Sequence, residues 1–340
     1  MKRKNFFQSS AAALVTAYLP SLSKFQIAED ETVFVSPPFL KTGDTIGISA
    51  PAGYIMIEEI QSAVNKMESW GYKIKLGDTI GKRDFTFGGN DEERIKDFQQ
   101  MLDDPKVKAI MCARGGYGIV RIIDKFNWEK FKIKPKWLIG FSDATVFHSH
   151  LNKNFGIASI HSKMCNSFPD DWSTAEPIQI ETIESIQWAL SGKKMKYNAE
   201  PNPQNKQGTA EGILIGGNLK MLETLAGTKS DINTAGKILF VEDTGEYMYS
   251  VDRMFWNLKR TGKLSQLKGL IVGGFKIKTD ADTEDFGRTL QDVVLEKVKA
   301  YMYPVCFDFP VGHQKNNYAL KCGVKHILEV KPDKVSLKEF

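Results

Sequence analysis

Apolar residues in the first half of this chain gather in short runs separated by stretches of helical spacing. Thr45-Ile46-Gly47-Ile48-Ser49-Ala50 reads as a strand that ends at Pro51-Ala52-Gly53. Ile57, Ile60, Ala63, Val64 and Met67 then recur at three- and four-residue intervals, which predicts a helix over 56–69 stopped by Gly71. Tyr72 to Leu76 reads as a strand. Asn90 or Asp91 opens a second helix with acidic residues in its first turn, where the helix dipole favours them. Val107 to Cys112 is a third apolar run, leading into Arg114-Gly115-Gly116-Tyr117-Gly118 and a helix that reaches about Phe126. Trp137 to Phe141 is a fourth, followed by Ser142-Asp143 and another helix. Strands alternating with helices in this way predict a parallel sheet covered on both faces, an α/β unit spanning 36–170.

The pattern changes after Asp170. Residues 171–207 hold one helix, Ile178 to Leu190, and then a polar stretch with Pro201 and Pro203. We read this as the passage into a second domain, 208–340. That domain opens with a strand (Ala210 to Ile215), Gly216-Gly217-Asn218 and a helix (Leu219 to Leu225). Ile238 to Val241 and Leu270 to Gly273 are further strands, and Val305 to Val330 reads as short strands and turns.

The N-terminus is different in kind. Lys2, Arg3 and Lys4 precede an uncharged stretch, Asn5 to Ser23, with an apolar centre over 11–19. That is shorter than the roughly 20 apolar residues a spanning helix needs, and it has the flanks of a cleavable export signal ending near Ser23. The start also resembles a twin-arginine signal with one Arg replaced by Lys. Export to the periplasm is the expectation, with no stable membrane insertion after cleavage. The formal charge of the whole chain is +5, and those three residues supply +3 of it. A body so nearly neutral offers no electrostatic case for nucleic-acid binding.

Of the four cysteines, Cys112, Cys165, Cys306 and Cys322, no two have CxxC spacing, so scattered buried thiols are expected. HExxH, GxxxxGK[ST] and acidic calcium loops are missing from the sequence, so neither a metal nor a nucleotide cofactor is expected.

Four places could carry chemistry. Ser142-Asp143 sits where a strand gives way to a helix. There a serine is either a helix N-cap or a nucleophile pushed out of a sharp turn beside free N–H groups. The Gly115-Gly116 turn lies at the carboxyl end of a strand, where open parallel sheets bind ligands; it either closes a tight turn or presents N–H groups to an anion. Phe240-Val241-Glu242-Asp243-Thr244-Gly245-Glu246 ends an apolar run in acids. Burying a carboxylate there is costly without a partner. Glu242, Asp243 and Glu246 all lie within five residues, so position alone leaves the acid open among them; Glu242 is chosen because it directly ends the run, and strand alternation would send Asp243 to the other face. His313 follows Gly312 in a loop, where an imidazole can reach across domains.

Taken together, these segments resemble the LD-carboxypeptidase family of serine peptidases, which includes the microcin C immunity peptidases. The resemblance runs from about Lys41 to Gly323. It is carried by Phe87-Gly88-Gly89, Ala113 to Gly118, Gly140-Phe141-Ser142-Asp143, Gly216-Gly217-Asn218-Leu219, Glu242-Asp243, Asp252-Arg253-Met254, and Gly312-His313 with Asn316, Leu320 and Gly323. The family has Pro where this chain has Lys321. The resemblance implies a flavodoxin-like or Rossmann-like N-terminal domain carrying the nucleophile and a β-rich C-terminal α/β domain carrying the acid and the histidine. Ser142 would be the nucleophile, His313 the base and Glu242 its orienting acid. N–H groups of Asp143 and of Gly115 or Gly116 would form the oxyanion hole, and Arg114 would bind the substrate's terminal carboxylate. The expected activity is release of a terminal D-Ala from a peptidoglycan tetrapeptide across an L,D bond. The alternatives are a peptidase for peptide-nucleotide or acyl-amino-acid conjugates and a non-catalytic muropeptide-binding protein. The expected partner is a small peptide, with a homodimer as a further possibility.

Overall fold

The computed structural model describes residues 33–279 and 286–340. The expected export signal lies outside the described residues. Among the described residues no helix is long and apolar enough to cross a membrane.

The chain runs β1 (Thr45–Ser49), α1 (Gln61–Ser69), β2 (Lys73–Leu76), α2 (Asp91–Asp103), β3 (Val107–Cys112), α3 (Ile119–Ile122), α4 (Glu129–Ile133), β4 (Trp137–Gly140), α5 (Thr145–Phe155), β5 (Ser159–His161) and α6 (Pro177–Leu190). It continues with β6 (Lys196–Ala199), β7 (Gly208–Asn218), α7 (Leu219–Thr224), β8 (Ile238–Glu246), α8 (Met248–Arg260), β9 (Gly269–Ile277), α9 (Leu290–Val298), β10 (Val305–Cys306), β11 (Leu320–Cys322), β12 (Val324–Val330) and β13 (Val335–Glu339).

Two mixed sheets organise these elements. The first has the order β11-β5-β4-β3-β1-β2. Its five N-terminal strands are parallel, as the alternation predicts. Its edge strand β11 is antiparallel to β5 and arrives from the far end of the chain. No periodicity in the first half could announce a partner some 160 residues away. The second sheet has the order β10-β9-β8-β7-β12-β13-β6, with parallel pairs from β7 to β10 and antiparallel pairs from β7 to β6.

Both faces of the first sheet are apolar. Ile46, Ile48, Met111, Trp137 and Ile139 face α1 and α6, while Val107, Ile110 and Leu138 face α2 and α5. Val241, Leu270 and Val272 of the second sheet pack against α7, α8 and α9. The stretch read as a passage between domains belongs to both halves. Ile183, Ile186, Ala189 and Leu190 of α6 join the first sheet's core, whereas Ile178 and Trp188 pack on the second sheet. Strand β6, from the same stretch, closes the far edge of the second sheet.

Lys321, the departure from the family pattern, is a buried residue of β11. Its Nζ donates to both carboxylate oxygens of Glu339, at 3.1 and 3.0 Å, and to Lys193 O at 3.1 Å. It therefore ties the crossing strand to β13. All four cysteines are buried and unbridged.

Candidate active site

Strand β4 is buried throughout and stops at Gly140. Phe141 is still extended, and Ser142 then turns to φ +61, one of three described non-glycine residues at positive φ. Such a backbone costs of the order of 1–3 kcal/mol and persists only where its surroundings impose it. A 3-10 turn, Ser142–Ala144, leads into α5, and neither helix start has a side-chain cap. The Ser142 hydroxyl is therefore not spent on capping, and it remains half-buried at the top of the sheet.

The glycine turn abuts this serine. A Cβ on Gly115 would lie 3.2 Å from Ser142 Cβ and 3.3 Å from its Oγ, so a side chain there would crowd the hydroxyl. Gly53 N–H donates to Gly115 O at 3.0 Å and holds the turn from below. Asp143 fixes its far end, because Oδ2 accepts from Ile119 N–H at 2.8 Å. Burial pushes the Asp143 carboxyl up to about 6, and the backbone N–H of Ile119, Arg94 and the backbone of Gly118 only partly oppose the shift. Its side chain thus locks the glycine turn to the serine turn, a role the sequence reading did not assign.

The acid and the histidine come from the second sheet. Glu242 is fully buried in β8, between β7 and β9. Opposite it the register slips, with Val241 pairing Val272 and Asp243 pairing Phe275, so β9 carries an extra residue around Gly273-Gly274. The chain at Val311-Gly312 enters there, and Gly274 N–H donates to Val311 O at 2.8 Å. Gly312 has φ +103, and a Cβ on it would lie 2.4 Å from Glu242 Cβ. This close approach brings His313 Nδ1 to 2.5 Å from Glu242 Oε2. Asn317 Oδ1 accepts from Gly312 N–H at 2.8 Å, and β11 then joins the first sheet. The loop carrying His313 is consequently anchored on both sheets.

The imidazole packs on Phe141, the residue before Ser142, with ring centroids 4.8 Å apart. Among the described residues Ser142 and His313 share no direct hydrogen bond. Asp243 points elsewhere, accepting from Asn218 Nδ2 at 3.0 Å and from Lys220 N–H at 2.9 Å. Asn218 N–H in turn donates to Thr145 Oγ1 at 2.9 Å, so this acid belongs to the seam between β7 and α5. Burial raises the Asp243 carboxyl to about 6 despite the N–H of Thr244, with Glu242 adding to the rise.

Arg114 is half-buried, with Nη1 on Tyr54 O at 3.2 Å and its guanidinium 5.7 Å from the Tyr54 ring. A second cationic place lies beside His313. A cavity of about 310 Å³ is lined by Phe141 and His313 together with Lys163, Lys276, Gln314 and Lys315. Lys163 Nζ donates to Gln314 O at 2.6 Å. Burial, then the nearby Lys276, lowers its ammonium to about 8, with Glu242 opposing. The sequence reading missed these lysines, because nothing local in Ser162-Lys163-Met164 or Phe275-Lys276 marks them. Among the described residues no cluster of His, Cys, Asp and Glu suits a metal ion.

Residues 46–162 match the LD-carboxypeptidase N-terminal domain and residues 211–328 match the LD-carboxypeptidase C-terminal domain. A probable murein peptide carboxypeptidase of Bacillus subtilis is 32% identical over 291 residues, spanning 85% of this chain and 90% of that protein. The microcin C7 self-immunity protein MccF of Escherichia coli is 25% identical, over 88% of this chain and 94% of its own. The crystal structure of a muramoyltetrapeptide carboxypeptidase from Oxalobacter formigenes superposes with a TM-score of 0.76 at 29% identity, covering 87% of this chain and 98% of that one.

Proposed function

Because the chain belongs to the LD-carboxypeptidase family, and is a serine-type carboxypeptidase, we propose that it releases the terminal D-Ala of a peptidoglycan-derived tetrapeptide through Ser142, His313 and Glu242. The observation that carries this reading is the His313–Glu242 pair. A buried carboxylate on Nδ1 fixes the imidazole tautomer and leaves Nε2 as the base. That ring packs, tilted, against the residue preceding a serine held in a strained turn. Contact between nucleophile and base commonly tightens only when substrate is bound.

In the proposed reaction, Ser142 Oγ attacks the scissile carbonyl carbon and its proton passes to His313 Nε2. The oxyanion takes hydrogen bonds from the N–H of Asp143 and from the Gly115-Gly116 turn. Each such donor typically stabilises the transition state by about 2.7–4 kcal/mol. The C–N bond breaks as His313 returns the proton to the leaving amine, leaving an acyl ester on Ser142. Water then attacks that ester, with His313 again the base.

The test is incubation with a tetrapeptide ending in an L,D bond to D-Ala, read by mass spectrometry. Release of free D-Ala by the wild type, an acyl-enzyme mass on Ser142 and insensitivity to chelators are expected. Turnover that persists in Ser142→Ala would overturn the reading. The likeness to MccF supports a second reading, cleavage of a peptide or aminoacyl conjugate. Conjugate cleavage together with an intact tetrapeptide would select it. Activity on neither, with no label from a serine-directed probe, would leave the binding-protein alternative. Export is part of the proposal and is checked by N-terminal sequencing of the native protein, where a terminus near Ser23 is expected.

A further inference from the structure

The cationic wall beside His313 has no part in the triad chemistry described above. We propose that the cavity bordered by His313, Phe141 and Gln314 is the subsite for the free carboxylate of the departing residue, with Lys163 and Lys276 as its cationic contacts. This assigns the carboxylate to the lysines rather than to Arg114, and it rests on the carboxypeptidase reading.

The leaving group fixes where the carboxylate must lie. His313 Nδ1 is occupied by Glu242, so Nε2 must deliver the proton to the departing nitrogen. A general acid has to stand about 2.6–3.2 Å from the atom it protonates. In an α-amino acid the carboxyl carbon is only two bonds beyond that nitrogen, at about 1.5 Å per bond. The terminal carboxylate therefore lies on the His313 side of Ser142, whatever the side chain. The cavity that His313 borders is about 310 Å³, near the lower end of the range for ligand pockets, about 300–1,000 Å³.

The charges fit. Lys163 Nζ spends one N–H on Gln314 O and keeps two donors. Its ammonium lies 5.7 Å from the ring of Phe141, the residue that precedes Ser142. Lys276 lines the same cavity from β9. Two ammonium groups facing one cavity repel one another, and an anion between them removes that penalty. The third lysine of the wall, Lys315, is already paired with Glu176 at 2.5 Å. Arg114 is turned to Tyr54 O, beside the glycine turn that the oxyanion would use. Arg114 does not line the cavity that His313 borders.

The test compares kcat/KM for a tetrapeptide ending in D-Ala with that for its D-alaninamide analogue. The enzymes are wild type, Arg114→Gln, Lys163→Met, Lys163→Arg, Lys276→Gln and the double Lys163→Met/Lys276→Gln. A charge-assisted contact predicts about a ten- to hundredfold preference for the free acid in the wild type. That preference should survive in Arg114→Gln and Lys163→Arg, shrink in each neutral single variant, and approach unity in the double. If the preference vanishes in Arg114→Gln, is absent from the wild type, or persists in the double variant, the subsite is refuted. A merely structural role for Lys163, through Gln314, would lower kcat for both peptides alike and leave their ratio unchanged, and that too refutes it. If the wild type cleaves neither peptide, the carboxypeptidase substrate has been misidentified. Calorimetry on Ser142→Ala then makes the same comparison without turnover. A free-acid preference erased by Lys163→Met/Lys276→Gln supports the subsite, and any other result rejects it.

Discussion

The two halves of the candidate site are built in opposite ways. The Ser142 half is local. Strand β4, the turn and α5 are contiguous, and the strain at Ser142 is held by neighbours within that unit and by the glycine turn at the end of the adjacent strand. The half made by Glu242 and His313 joins residues 71 apart in the chain, across a register slip in β9 and a strand that changes sheets. A local turn tolerates change elsewhere in the fold. A pair assembled over long range depends on every close approach that brings its members together.

Five outcomes would break or sharpen this contrast. The largest is expected from Ser142→Ala, which should lower kcat by roughly 10⁴- to 10⁶-fold in steady-state assays, with circular dichroism and Tm unchanged. Glu242→Gln should follow at about 10⁴-fold, since it disturbs the tautomer and leaves the imidazolium unpaired. Asp243→Asn, facing the other way, should cost far less in kcat. The reverse ranking of those two acids would mean that the seam, not the pair, orients His313.

Gly312→Ala tests the long-range half directly. It combines a left-handed φ with a Cβ only 2.4 Å from Glu242 Cβ. Denaturant unfolding should show a loss of about 3 kcal/mol or more, and residual activity should fall with it. Gly227→Ala is the control, having φ +78 and nothing within 4 Å, and should cost only about 1–2 kcal/mol.

The fourth outcome is a pH effect on binding. Burial holds the Lys163 ammonium at about 8, facing Lys276 on β9, Glu242 on β8 and His313 on its loop. As pH rises through that value its charge is lost, so KM for the free-acid peptide should climb in alkaline buffer. Neither the amide peptide nor Lys163→Met should show that rise.

The smallest effect concerns stability. The folded-state carboxyls of Asp143 and Asp243 lie near 6, above the ordinary value of 3.8. Groups raised in this way stabilise the fold when protonated, and that contribution fades as pH rises through about 6. In Asp143→Asn the amide oxygen can still accept from Ile119 N–H without a buried charge. Its Tm should therefore match or exceed wild type at neutral pH, with the difference closing toward pH 4. A lower Tm at neutral pH would show that the ionised carboxylate is what locks the glycine turn.

By itself the sequence determined the alternating first half, the serine turn, the glycine turn and the acid that ends an apolar run. Each is a local pattern, set by strand and helix periodicity and by turn chemistry within a few residues. It also separated Glu242 from Asp243, since alternation along a strand needs no tertiary knowledge. Helices α8 and α9 went unread, although Val251, Met254, Phe255 and Leu258 do keep helical spacing. Only the tertiary structure decided the rest. It put β11 on the first sheet, shared α6 between the two cores, set His313 against Glu242, and gathered Lys163 and Lys276 around one cavity. Those outcomes depend on which distant segments pack together. Packing is settled by the burial of whole faces, which no short window of sequence contains.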